Sequence, residues 1–376
     1  MKLLLVTGAG ASRELGLGQP LPLMPDWSNA LCEKLDSAER NLAEAIGLRP
    51  GLSGPEFERG LGDFLRWQEF RHLEERFGGL GGPHPGSEYG EQQKAREAQT
   101  RRADAITRVL RQSLFENFSA TRIDADRAGK AYGALLDHLD QPELVCATTN
   151  YDISLGTALD GLGRRPNLGL EEAAFRTPRV QPQGIVDWDG HHGGKTPLLH
   201  LHGAVGWYED NGEVFWQGGD RAYNESLGVP VLLYPDPAKD PTRDSLVEDL
   251  WREFETALTG AEHVLVLGHS LHDPALLRAL KAVSRDVSLG VTVFASHKYL
   301  QGQADEAERG AILGESARVE DLLPGAVAIP ANFGAEPAFG GDEWISWLTN
   351  QDPVEPGSWS PVAGDRNGDQ NEENRE

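Results

Sequence analysis

Short runs of apolar residues, each ending in small or polar residues, are the feature that most restricts how this sequence can fold. Such runs lie at residues 2–7, 143–148, 231–234, 263–267, 291–295 and 326–329. Runs of this length, bounded by glycine or polar residues, predict buried strands. Between them, apolar residues recur on one helical face, as at residues 106–118 and 247–258. The alternation predicts an α/β fold with a doubly wound parallel sheet.

Two internal segments and the C-terminus depart from this alternation. Residues 204–216 place Asp210-Asn211-Gly212 between aromatic and β-branched runs, which predicts an antiparallel hairpin. Residues 48–125 predict a mostly helical insertion with a loop at 78–90. Residues 351–376 are acidic and nearly free of apolar side chains, which predicts a disordered tail. We therefore expect one domain over residues 1–350.

Charge and cysteine content argue against several classes of protein. The formal net charge is -24, from 35 Lys and Arg against 59 Asp and Glu, so direct binding to nucleic acid is not expected. Cys32 and Cys146 lie in no CxxC pair, which argues against a zinc ribbon or a disulfide framework. The N-terminal apolar run is too short for a signal peptide, and no run approaches the roughly 20 apolar residues of a membrane span. We expect a cytoplasmic protein.

The first two candidate motifs follow predicted strands. Gly8-Ala9-Gly10-Ala11-Ser12 follows the first strand, and its small residues would let the backbone approach a diphosphate. An ordinary strand-to-helix turn has the same pattern. Thr148–Asp152 follows another apolar run, so Asn150 and Asp152 would lie at the strand end where open α/β sheets bind ligands. Alternatively, Asp152 caps the following helix.

The other two motifs contain histidines. His200 and His202 alternate in Leu199–Gly203, which predicts that both point to one face of a strand. Such a pair could hold a metal, although no third ligand is evident nearby in the sequence. Residues 263–274 predict a strand, a polar turn containing Gly268 and Ser270, and a helix opened by Asp273. This turn suits a second approach to phosphate or ribose, and a plain capped helix start has the same pattern.

The order of these motifs resembles that of the sirtuin family. In chain order they read G-A-G-A-S, T-N-Y-D, H-G and G-x-S-x-x-D, and they look most similar to the sirtuin-like branch of bacterial antiphage defence proteins. The resemblance spans roughly residues 2–296. Pro22–Trp27 occupies the place of the loop that covers nicotinamide, although Ser28 stands where the family has arginine, which leaves Asp26 without an assigned role. The resemblance implies a Rossmann-like, sirtuin/DHS-like fold that takes NAD+ as substrate.

The resemblance also implies residue roles. Asn150 would hold the nicotinamide ribose or an attacking water, Asp152 would bind the carboxamide, and His202 would be the base acting on a ribose hydroxyl. The implied NAD+-binding residues are Gly8, Ala9, Gly10 and Ser12 for the diphosphate, Thr149 beside them, Gly268 and Ser270 for the adenosine half, and, from its position, Ser296 for the adenosine ribose. Nicotinamide leaves as a neutral molecule, so the difficulty is the positive charge that develops on the ribose. A positioned base contributes about 10²–10⁴-fold.

One departure from the family decides the expected reaction. Sirtuin deacetylases carry a four-cysteine zinc module after the His-Gly motif, and here the hairpin at 204–216 contains no cysteine. We therefore expect no zinc, water as the acceptor, and an NAD+ glycohydrolase that depletes NAD+ in antiphage defence. The alternatives are a zinc-less deacylase or ADP-ribosyltransferase, and a non-catalytic sensor of NAD or ADP-ribose. The resemblance further implies a homo-oligomer and an ATPase partner of the DNA-translocase type.

Overall fold

A parallel sheet forms the centre of the protein in the computed structural model. The model describes residues 1–78, 87–136, 143–171, 178–188, 194–218, 223–233, 245–283, 285–300, 303–331 and 347. The strands of the larger sheet are β1 (Lys2–Thr7), β2 (Glu143–Thr148), β3 (Pro166–Asn167), β4 (Thr196–His200), β8 (His263–Leu267), β9 (Ser288–Phe294) and β10 (Val327–Ala331). Their order is β10-β9-β8-β1-β2-β4-β3, and every pairing is parallel. The order reverses beside β1, which is typical of a doubly wound sheet.

Helices follow most of these strands. They are α1 (Ala9–Ser12), α2 (Met24–Lys34), α3 (Ser37–Ile46), α4 (Gly54–Gly78), α5 (Ser87–Phe118), α6 (Ala125–Leu136), α7 (Ser154–Gly161), α8 (Ser245–Gly260), α9 (Pro274–Val283), α10 (His297–Leu300) and α11 (Glu306–Leu322). Among the helices of the described residues, none combines the length and the apolar character needed to cross a membrane.

Both faces of the sheet are buried, as the sequence predicts for a Rossmann-like α/β fold. Alternate residues of β1 point to opposite faces. Leu3 and Leu5 belong to a core cluster with Tyr132 of α6, whereas Leu4 and Val6 belong to a second cluster that contains Phe254 of α8. Burial of one such aliphatic side chain contributes about 1.5–3 kcal/mol. This core fixes the carboxyl ends of β1, β2, β4 and β8 beside one another.

The helical region is larger than the predicted insertion at 48–125. Helices α2 and α3, which precede residue 48, share a third core cluster with α4 and α5. Trp27 of α2 is fully buried there, and its Nε1 donates a hydrogen bond of 3.0 Å to Ser113 Oγ of α5. The predicted loop at 78–90 includes helical residues, because α4 ends at Gly78 and α5 begins at Ser87. Residues 79–86 lie outside the described part of the chain.

The predicted hairpin belongs to a separate three-stranded antiparallel sheet. Its strands are β5 (Gly203–Asp210), β6 (Glu213–Trp216) and β7 (Val229–Leu232), in the order β6-β5-β7. At the hairpin turn, Asn211 and Gly212 have φ values of 53° and 79°, the left-handed conformation that Asn-Gly turns favour. Val231 and Leu232 of the run at 231–234, which we expected in the parallel sheet, belong to β7 of this sheet instead. The predicted tail at 351–376 lies outside the described residues.

Candidate active site

A cavity of about 370 Å³ lies at the carboxyl edge of the parallel sheet. This volume is within the usual range for small-molecule sites, and open α/β sheets bind ligands at this edge. The sequence-predicted residues that line the cavity are Ala9, Gly10, Ser12, Thr149, Asn150, Asp152, His202, Gly268 and Ser270. The structure therefore brings residues from all four motifs to one place, although they lie far apart in the chain.

Two glycine-containing turns contact each other at the base of this cavity. Gly8 N donates to Leu267 O at 2.8 Å, and Gly10 N donates to Gly268 O at 2.9 Å. Gly268 has a φ of +59°, and a Cβ there would lie 2.2 Å from Ala11 N. Only glycine permits both that conformation and that approach. The turns after β1 and β8 therefore present one continuous backbone surface to the cavity.

Asn150 links the turn after β1 to the loop after β2. Its Nδ2 donates to Gly8 O at 3.0 Å and to Ser12 Oγ at 3.1 Å. Because these bonds use both hydrogens of Nδ2, Oδ1 is the atom of this side chain that can accept a hydrogen bond from a ligand. Gly8 itself is not among the described residues that line the cavity, and it contributes through this carbonyl and through the turn.

Asp152 is a buried carboxyl between that network and helix α7. Its Oδ2 accepts a 2.8 Å hydrogen bond from Ser12 Oγ, and its Oδ1 accepts bonds from the backbone and hydroxyl of Ser154. Burial raises the pKa of the Asp152 carboxyl, while the hydrogen bonds from Ser154 and Ser12 oppose that shift. Asp152 therefore fits both predictions. Its Oδ1 accepts hydrogen bonds from Ser154 at the start of α7, and the residue also lines the cavity.

His202 forms a buried pair with Asp273, an interaction that the motifs did not predict. His202 Nε2 and Asp273 Oδ2 are 2.8 Å apart, and each side chain is only 4% exposed. Asp273 Oδ1 also accepts hydrogen bonds from Ala275 N at 2.8 Å and Leu276 N at 3.0 Å, which caps α9. The residue pattern identified Asp273 as this cap, and the resemblance included it in the motif G-x-S-x-x-D without giving it a role. Its place in that motif and its position after a predicted strand were the available signals that it belongs to the site.

His200 does not share the position of His202. It is buried, its ring lies 5.6 Å from that of Trp207, and it is not among the described residues that line the cavity. The strand β4 ends at His200, so the alternation that predicted a common face does not continue to His202. Burial lowers the pKa of His200 to about 4, against a hydrogen bond to the Asn150 backbone. Among the described residues, no group of three or more His, Cys, Asp or Glu side chains is arranged to hold a metal.

The pKa of His200 predicts how stability changes with pH. The unfolded chain protonates His200 below its ordinary pKa of 6.5, whereas the folded protein resists protonation down to about pH 4. Between these values the unfolded state binds more protons, so stability falls as the pH falls. We expect this residue to remove about 2 kcal/mol of unfolding free energy between pH 7 and pH 5. Urea unfolding at both pH values checks this. The free energy of unfolding of a His200→Gln variant should fall correspondingly less between the two pH values, and an equal fall in both proteins would contradict the lowered pKa of His200.

A second group of lining residues, from the helical region and the segment just before it, is mostly apolar. It includes Leu21–Pro25, Pro55 and Phe118, with Glu58 as an acidic member. Of the segment predicted to cover nicotinamide, Pro22–Pro25 line the cavity, whereas Asp26 and Trp27 are not among the described residues that line it. Asp26 has a local role, because its Oδ2 accepts a 3.3 Å hydrogen bond from Leu23 N at the start of α2.

Further residues at the cavity carry polar groups that the motifs did not assign. His269 and His272 belong to the turn after β8, and Tyr151 lies between Asn150 and Asp152. Ser296 behaves differently from its predicted role. It is not among the described residues that line the cavity, and its Oγ accepts a 3.2 Å hydrogen bond from Tyr299 N at the start of α10.

No protein-family model matches this chain, and no curated protein is significantly similar to it. The fold and the cavity therefore define its class: an α/β protein with a Rossmann-like, mostly parallel sheet and a candidate ligand site at the carboxyl edge of that sheet.

Proposed function

We propose that this protein is an NAD+ glycohydrolase that cleaves NAD+ to nicotinamide and ADP-ribose, with water as the acceptor. The observation that carries the proposal is the meeting of two features in one cavity. A buried imidazole–carboxylate pair, His202 and Asp273, lies beside the amide of Asn150 and the paired turns after β1 and β8. The sequence order of the same motifs resembles that of sirtuins.

The paired turns support binding of a dinucleotide. Gly10, Ser12 and Gly268 line the cavity where two backbones approach closely, and the small residues of these turns leave room for a diphosphate beside the backbone. Ser270 lies in the same turn as Gly268 and is proposed to contact the adenosine half. The apolar wall of Leu21–Pro25 and Phe118 offers a surface on which a flat nicotinamide ring could pack.

The polar groups support cleavage of the pyridinium–ribose bond. That bond breaks with nicotinamide as a neutral leaving group, so the site has to stabilise the positive charge on the ribose rather than supply an acid. His202 is proposed to accept the proton of a ribose hydroxyl, and Asn150 Oδ1 to hold the ribose or the water that attacks it. Asp152 is proposed to bind the carboxamide. A base of this kind accounts for about 10²–10⁴-fold of rate.

The hairpin supports water as the acceptor. In the place where deacetylases carry a zinc module, this chain has β5 and β6, and Trp207 of β5 is fully buried in the main core. A strand packed in this way offers no argument for an acyl-lysine groove. Water is the acceptor that needs no such groove.

Nicotinamide release by the purified chain with NAD+ as sole substrate tests the proposal. We expect turnover by the wild type and a loss of at least about 100-fold in Asn150→Ala, because the amide holds Gly8 O and is proposed to hold the ribose or the attacking water. Asn117→Ala is the matched control, since the Asn117 side chain donates to the backbone and hydroxyl oxygens of Ser113 within α5. Turnover that needs an acylated peptide would favour the deacylase or transferase, and NAD+ binding without turnover would favour the sensor.

The proposal extends to the setting in which the enzyme acts. We propose a cytoplasmic effector that depletes NAD+ during phage infection, assembles as a homo-oligomer and acts with an ATPase of the DNA-translocase type. Infected cells that express the wild type should lose NAD+, and cells that express His202→Ala should retain it. Equal NAD+ levels in the two cultures would contradict this setting.

A further inference from the structure

We propose that Asp273 is a positioning residue that fixes the tautomer and orientation of His202. The inference rests on the proposed function in one respect, the identity of the proton that His202 accepts. It starts from one juxtaposition: a buried carboxylate at the N-terminus of α9 contacts the buried imidazole that follows β4.

The two carboxylate oxygens of Asp273 contact different groups. Oδ1 accepts from Ala275 N and Leu276 N, and these two bonds fix the plane of the carboxylate. Oδ2 is therefore directed at His202 Nε2, at 2.8 Å. The positive end of a helix favours the charged carboxylate, which accepts hydrogen bonds and donates none.

A carboxylate in this position selects one neutral form of the imidazole. Because Oδ2 accepts, Nε2 carries the hydrogen, and the lone pair of the neutral ring lies on Nδ1. In the proposed reaction the ribose hydroxyl transfers its proton to Nδ1 and the ring becomes imidazolium. Asp273 accepts the Nε2 hydrogen throughout and stabilises the imidazolium without taking its proton.

The turn that carries Asp273 is held in a conformation that only specific contacts maintain. Leu271 is buried and has a φ of 58°, which is strained for a branched side chain. Its N–H donates to His269 Nδ1 at 2.8 Å, and Arg318 of α11 donates to Ser270 O at 3.1 Å. These two hydrogen bonds hold the turn that immediately precedes Asp273.

The variant Asp273→Asn separates positioning from capping. Asparagine caps helices as well as aspartate does, so its Oδ1 keeps the bonds to Ala275 N and Leu276 N. Its NH₂ group then faces His202 Nε2 and forces the hydrogen onto Nδ1, the wrong tautomer for the base. We expect kcat for nicotinamide release to fall about 10²–10⁴-fold with KM for NAD+ within about threefold, as in catalytic triads altered in the same way.

A structural readout accompanies the kinetic one. Nitrogen-15 NMR of labelled histidines distinguishes the two neutral tautomers. The signal of His202 is identified as the one that is missing from the spectrum of His202→Gln. We expect the Nε2–H form in the wild type and the Nδ1–H form in Asp273→Asn. Asp305→Asn is the matched control, because Asp305 caps α11 through Glu308 N and is expected to keep both the rate and the tautomer.

The outcomes are distinguishable from failure of the proposed function. If the wild type releases no nicotinamide, the function fails, whereas the NMR comparison still decides whether Asp273 sets the state of His202. The same tautomer in wild type and Asp273→Asn, or an equal loss of kcat in Asp305→Asn, would overturn the inference.

Discussion

Replacement of His202 by alanine is expected to lower nicotinamide release about 10²–10⁴-fold while NAD+ binding changes only a few fold. The imidazole is the proposed base, and the turns proposed to bind the dinucleotide contact each other without it. Loss of the ring also leaves the Asp273 carboxylate buried without this partner, which costs about 1–3 kcal/mol of stability.

His202→Gln separates these two effects. Glutamine can donate to Asp273 and so spare the fold, but it cannot act as a base. His72→Ala is the control, because His72 lies on α4 with a side chain 53% exposed. Kinetics of nicotinamide release, with thermal unfolding of each variant, checks the prediction. Wild-type rates in a folded His202→Gln protein would contradict the role of His202.

Replacement of Gly268 by alanine is expected to disrupt both the fold at this edge and the binding of NAD+. The new Cβ would lie 2.2 Å from Ala11 N, on a residue with a φ of +59°, so the turns after β1 and β8 have to separate. We expect the free energy of unfolding to fall by at least about 2 kcal/mol and the Kd for NAD+ to rise at least about tenfold.

Gly310→Ala is the matched control for this substitution. Gly310 is exposed within α11, and a Cβ there meets no atom within 4 Å. Alanine should therefore stabilise the helix by up to about 1 kcal/mol and leave NAD+ binding unchanged. Chemical denaturation and calorimetric titration with NAD+ check both variants. Tight NAD+ binding by a stable Gly268→Ala protein would contradict the proposed contact between the turns.

The parallel strands were predictable from the sequence because their signal is local. Residues 3–6 and 264–267, within two of these strands, are apolar throughout, as strands buried on both faces have to be. Val231 and Leu232 of the run at 231–234 are equally apolar but belong to β7, which pairs with β5, because apolar composition does not encode the partner of a strand. The extent of the helical region depends on packing around Trp27, which also leaves little trace in local periodicity.

The candidate site was predictable in part for the same reason. Strand ends that carry Gly10, Asn150 or Gly268 are recognisable one at a time, and a parallel sheet brings them to one edge. The pair of His202 and Asp273 was not predictable, since Asp273 satisfies its local role as a helix cap and the strands before the two residues are not adjacent. Ser296 was assigned by position alone, and the start of α10 directs its hydroxyl to Tyr299 N.

A single-turnover experiment tests the central claim most directly. Purified wild-type chain in molar excess is mixed with NAD+ labelled in the nicotinamide ring, with no acceptor other than water, and the products are quantified over time. We expect nicotinamide and ADP-ribose to form in equal amounts until the NAD+ is consumed, at a rate that His202→Gln lowers. NAD+ that binds to the protein and is recovered intact would contradict the account and leave a binding site without hydrolysis.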